Sequence, residues 1–119
     1  MAMSSFGQST PTPERRAAMR DTVHRPGKLL DGRHAWPCTI VDISATGLRI
    51  TGVRGLPASS EVTVVDMITG VGHQARVVWA KEIQAGLKLI QSRELRGLVP
   101  QAFQAAKSIW DNHRHHSNP

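Results

Sequence analysis

The sequence predicts a mainly β domain: six strands forming a small barrel or sandwich, followed by one C-terminal helix. Three observations predict it. Between positions 23 and 90 the apolar residues come in short runs broken by Gly, Pro, Asp and Ser, the spacing of small all-β folds. At Leu95 the apolar period changes to three or four residues, the repeat of an amphipathic helix. Finally, 119 residues with the single cysteine Cys38 leave room for one compact domain that stands on its core without disulfides.

Residues 1–13 are small and polar, with Pro11 and Pro13, and cannot repay the entropy of ordering, so they read as a flexible leader. The domain is expected over 14–111, with an arginine-rich arm at 14–22, a β-rich body at 23–91 and a helix at 93–111. The first strand is expected over Val23–Leu30, ended by the turn signal Asp31-Gly32. The next two, Cys38–Ile43 and Leu48–Thr51, flank the loop Ser44-Ala45-Thr46-Gly47. Glu61–Met67 alternates with Val62 and Val64 on one side, and Gln74–Ala80 with Ala75, Val77 and Trp79, so each buries one face. Thr69-Gly70-Val71-Gly72 reads as their hairpin connection. The last strand is expected over Gly86–Ile90. Beyond it Leu95, Leu98, Val99, Ala102, Ala106, Ile109 and Trp110 share a helical face. Gly97 and Pro100 interrupt that face, predicting a short helical turn to Leu98 and a main helix from Pro100. The tail 112–119 has no apolar residue and is expected to be disordered.

Fifteen basic against nine acidic residues give a formal net charge of +6, which favours an anionic partner. Residues 1–60 carry eight of the basic and four of the acidic residues, so the first half is the place to look. The N-terminus has no basic start and apolar run of a signal peptide, and no stretch approaches the roughly 20 apolar residues of a membrane span. A soluble protein of the reducing cytoplasm is the expectation.

Two short patterns carry chemistry. Arg16 and Arg20, with Arg15 beside them, lie four apart and share one face, so both guanidinium forks can close on one ligand. Each fork matches a phosphate or the O6/N7 edge of guanine. Asp42 supplies acceptors for the N1 and N2 donors of guanine, Ser44 donates or accepts, and Gly47 permits a sharp turn or a close approach. Taken alone, each piece is more often a solvated arm or an ordinary turn. Other candidates are weaker. Cys38 lacks the orienting partners of a nucleophile, no carboxylate pair suits acid/base work, and the tail histidines His113, His115 and His116 lack zinc-site spacing. Trp36, Trp79 and Trp110 read as packing rather than stacking residues.

Taken together, Arg-x-x-x-Arg at Arg16 and Arg20, Asp-x-Ser-x-x-Gly at Asp42, Ser44 and Gly47 after 21 intervening residues, a six-stranded pattern with Trp79 in the fifth strand, and a C-terminal helix resemble the PilZ domain. The resemblance covers about residues 14–109. It implies a six-stranded antiparallel β-barrel with a C-terminal helix, and a ligand rather than a cofactor: cyclic di-GMP, held by Arg15, Arg16, Arg20, Asp42, Ser44 and Gly47. Leu89 stands where the family's final strand commonly carries Phe, which touches packing more than binding. The arm is expected to be mobile when empty and to fold onto the barrel with ligand, passing the signal to a separate downstream protein, with no metal, no membrane insertion and no catalysis. Two rival readings are a PilZ-like adaptor with weak or no nucleotide binding and a basic barrel for nucleic acid. Few aromatic side chains on the strands disfavour the second.

Overall fold

A computed structural model describes residues 21–32 and 34–117, the last four as backbone only. Six strands, β1 (Asp21–Asp31), β2 (His34–Ile43), β3 (Gly47–Thr51), β4 (Glu61–Asp66), β5 (Val71–Lys81) and β6 (Gln84–Glu94), are followed by a 3-10 turn at Gln101–Phe103 and helix α1 (Gln104–Ser117). Every pairing is antiparallel, and the order β1-β2-β3-β6-β5-β4 closes on itself where β4 pairs with β1. The fold is the expected six-stranded antiparallel barrel with one C-terminal helix.

Alternation divides the apolar residues between two cores. Leu29, Ile40, Leu48, Ile50, Val62, Val64, Ala75, Val77 and Leu87 point inward and fill the barrel. Their neighbours Leu30 and Val65 point outward and meet Met67, Leu95, Phe103, Ala106 and Trp110. The paired runs Leu29-Leu30 and Val64-Val65 therefore mark strands covered on both faces, which removes the simple alternation of a half-exposed sheet. Trp110 lies over Gly70, where an added Cβ would come within 2.9 Å of the indole, and the Arg96 guanidinium sits 5.3 Å from the Trp110 ring centroid.

The strands outrun their apolar runs. β6 continues to Glu94 because Gln91, Ser92, Arg93 and Glu94 pair with residues 71–74 of β5; ladder hydrogen bonds, not burial, set its end. The expected helical turn at Leu95–Leu98 does not form. Leu95 N–H instead donates to Gly70 O at 2.8 Å, Gly97 adopts φ +91°, and Leu98 is fully exposed. Leu95 thus shares the helix's core from the end of a strand. At the other end α1 passes the expected limit at Asp111 and runs to Ser117, because propagating a helix needs backbone hydrogen bonds rather than apolar side chains, and His113 packs on Trp110.

Buried polar contacts join β1 to β4 through Arg25 and Asp66 and, within electrostatic reach of them, β5 to β6 through His73 and Ser92. Asp66 is fully buried and accepts from Arg25 Nη1 at 2.9 Å and from the backbone N–H groups of Ile68 and Thr69 at 2.9 and 3.1 Å. Burial alone raises its pKa, but these donors outweigh it and hold the carboxyl below the usual range. Buried His73, 2.8 Å through Nδ1 from Ser92 Oγ, is pushed below its ordinary 6.5 by burial, with Asp66 opposing and Arg25 adding to the shift. The unfolded chain binds the His73 proton first as pH falls through 6.5, so stability declines on acidification from there. Thermal melts between pH 7.5 and 5 are expected to show this fall, and His73→Gln to flatten it.

Candidate functional site

The site is built by irregular pairing. Along β2 and β3, Ile40 faces Ile50 but Asp42 faces Arg49, so β2 holds one extra residue at Val41. Without that bulge Asp42 would follow Ile40 into the barrel; with it, the carboxylate turns to the outer face and Ile43 returns inward to pair with Leu48. A second bulge, between Val77 and Trp79 on β5, reverses parity in the same way. Trp79 therefore stands outside opposite Gly86, and Gly86 in turn lies opposite Arg49. With Thr22 paired to Asp42, a single outward row crosses five strands: Thr22, Asp42, Arg49, Gly86, Trp79.

Within that row the contacts are specific. Arg49 Nε donates to Asp42 Oδ2 at 2.8 Å and Arg49 Nη1 to Gln84 Oε1 at 3.2 Å. Gly86 offers no side chain, so the Trp79 indole lies on the strand itself; a Cβ there would fall 2.1 Å from its Nε1. A shallow groove follows, lined by Thr46, Gly47, Arg49, Trp79, Gly86 and Lys88 among others. It combines two cationic side chains and an aromatic ring 42% exposed, an arrangement suited to a planar, anionic ligand.

The turn at the end of the groove is organised by Ser44. Its Oγ accepts from the N–H groups of Thr46 and Gly47, both at 3.2 Å, and donates to Gly47 O at 3.3 Å. Its own N–H donates to the same carbonyl at 2.9 Å. Ser44 thus shapes the loop first, as hydroxyls in such turns do. Gly47 is needed for space rather than for a left-handed φ, since it is absent from the positive-φ glycines. A Cβ on it would meet the Leu87 carbonyl oxygen at 2.7 Å, against the backbone of β6.

Asp42, Ser44 and Gly47 are therefore brought together on one surface. Arg15, Arg16 and Arg20 lie outside the described residues. The described chain begins at Asp21, which pairs with Ile43, so β1 starts beside the Asp42–Ser44 loop. Sequence reasoning missed Arg49 and Lys88 and read Trp79 as packing. The signal was a break in alternation, with inward residues three apart at Ile40 and Ile43 and an inward Val77 followed two positions on by the exposed Trp79, which marks a bulge only when both partners are known.

Elsewhere the chemistry is quiet. Cys38 is buried, and burial pushes its thiol up to about 12, leaving it protonated and unreactive at neutral pH. Trp36 is exposed and stacks on His34. Among the described residues, no three His, Cys, Asp or Glu side chains group to hold a metal ion, and no helix is long and apolar enough to cross a membrane.

Comparison with known proteins gives two findings. One family profile, that of the PilZ domain, matches residues 14–101. Among solved structures, that of the Bacillus subtilis inhibitor of motility (MotI/DgrA) superposes with a TM-score of 0.55 at 12% identity, covering 90% of this chain and 54% of that one. This chain thus spans about half the length of that protein, and the likeness is one of fold. No curated protein matches.

Proposed function

Because the chain belongs to the PilZ domain family, a family of receptor and adaptor domains, we propose that it binds cyclic di-GMP on the outer row centred on Asp42, gripping it with Arg16, Arg20 and the auxiliary Arg15. The observation that carries this reading is the register of β1 on β2. Thr22 lies opposite Asp42, and Arg16 and Arg20 precede it by only six and two positions in the sequence, which supports a site shared with the Asp-x-Ser-x-x-Gly loop. Two phosphates and two guanines would then meet arginine forks from one side and the Asp42 acceptors from the other. Asp21 and Thr22, expected in the arm, are already part of β1; ligand binding fastens residues 14–20 onto the barrel, and a separate protein reads the surface so formed, which makes the domain an adaptor rather than an enzyme.

Calorimetric titration tests the reading. Cyclic di-GMP is expected to bind the wild type, while GTP and a short oligonucleotide bind weakly or not at all. Arg16→Ala and Arg20→Ala each weaken binding by about a hundredfold, the cost of unpairing a charged hydrogen-bonded partner. Absence of cyclic di-GMP binding by the wild type would sink the proposal, and oligonucleotide binding indifferent to these substitutions would replace it with the nucleic-acid reading.

A further inference from the structure

Arg49 belongs to neither short pattern, yet it occupies the middle of the outward row. On one side its Nε holds Asp42 Oδ2 at 2.8 Å; on the other its Nη1 is braced by Gln84 Oε1 at 3.2 Å. The pair is sheltered: the Asp42 side chain is 13% exposed and that of Arg49 37%. Arg49 faces outward by plain alternation between the buried Leu48 and Ile50, and the bulge at Val41 turns Asp42 outward opposite it. A carboxylate gripped through one oxygen by a planar, braced fork loses the freedom to rotate, while its other oxygen stays available.

We propose that Arg49 is a positioning residue for base recognition: it fixes the plane of the Asp42 carboxylate, so that the domain distinguishes guanine from bases lacking its donor edge. This rests on the reading above, with Asp42 accepting from guanine N1–H and the 2-amino group. The role requires the fork and not the charge alone, because a lysine at position 49 would meet Asp42 as a freely rotating point charge and could not also engage Gln84. Gln84 supports the same geometry from the start of β6.

The test compares cyclic di-GMP with cyclic di-IMP, whose hypoxanthine lacks the 2-amino group, by calorimetry on the full chain. The wild type is expected to prefer the guanine ligand by about tenfold, the discrimination of a well-placed hydrogen-bond pair. In Arg49→Gln and Arg49→Lys that preference falls toward unity, as it does in Asp42→Asn, and combining Arg49→Gln with Asp42→Asn adds no further loss of preference. Gln84→Ala, a change at an exposed side chain, lowers the preference in part and serves if Arg49→Gln fails to fold. Equal losses for both ligands, an unchanged preference, or tighter binding in Arg49→Gln would each overturn the assignment. Wild-type protein that binds neither ligand would instead remove the function on which it rests.

Discussion

Gly47→Ala is expected to eliminate measurable binding of cyclic di-GMP and to lower the unfolding free energy by about 1–3 kcal/mol, the usual cost of forcing an atom into a packed site. The new methyl would stand 2.7 Å from the Leu87 carbonyl oxygen, which belongs to the backbone of β6 and cannot turn aside. Relief requires β3 to move off β6, and that motion breaks the bond from Leu89 N–H to Thr46 O (2.9 Å) and displaces the loop that Ser44 holds. Gly86→Ala provides the contrast. Its methyl also collides, but with the exposed Trp79 ring, which can swing away, so urea unfolding should change little. Titration and urea unfolding of the two variants separate a strand-seam glycine from one that merely seats an indole.

Asp66→Ala is expected to produce the largest loss of stability, about 3–5 kcal/mol, as when one partner of a buried ion pair is removed. Arg25 would lose its counter-charge, and the N–H groups of Ile68 and Thr69 would lose their acceptor at the turn leading into β5. Thermal and urea unfolding measure the effect. Because the folded carboxyl titrates below its ordinary 3.8, its stabilisation is complete at neutral pH and disappears only as pH falls through the lower folded value. The deficit of Asp66→Ala relative to wild type should therefore persist at neutral pH, grow as pH falls from 6.5 because the variant also loses the charge that supports protonated His73, and shrink below about pH 4. The same comparison in the His73→Gln background removes the histidine's contribution and leaves the carboxyl's own window.

Much of the architecture is legible in the residues. The six runs are real strands because β-branched and apolar residues alternate between turn-forming ones, and the loop at Ser44 announces itself by hydroxyls and a glycine. Three features were not legible, for physical reasons. Strand ends at Gln91–Glu94 depend on ladder hydrogen bonds made by exposed polar residues, which leave no hydrophobic trace. Leu95 and Leu98 keep helical spacing although one closes a sheet and the other faces solvent, since a spacing cannot reveal which core a residue serves. The bulges at Val41 and between Val77 and Trp79 decide which side chains face outward, yet each is a property of two strands at once. The motif residues Asp42, Ser44 and Gly47 could be named from one segment. Arg49 and Trp79 became visible only when β2, β3, β6 and β5 were laid side by side.

The register of β1 against β2 has a further consequence, in the language of effective concentration. Arg20 and Asp42 are separated by 21 residues along the chain, but nineteen of them, Asp21 to Asp31 and His34 to Val41, lie in barrel strands. In the proposed site the arginines are linked to this paired region through the few positions before Asp21, and short tethers hold their ends at an effective concentration in the millimolar range. Assembly of that site would be a unimolecular step whose entropic cost grows only slowly with tether length. An added residue before Asp21 changes that cost slightly, whereas one inserted within β1 would slip the ladder and carry the whole arm to another part of the rim. The span before Asp21 can therefore vary in length, while β1 itself must be counted residue by residue.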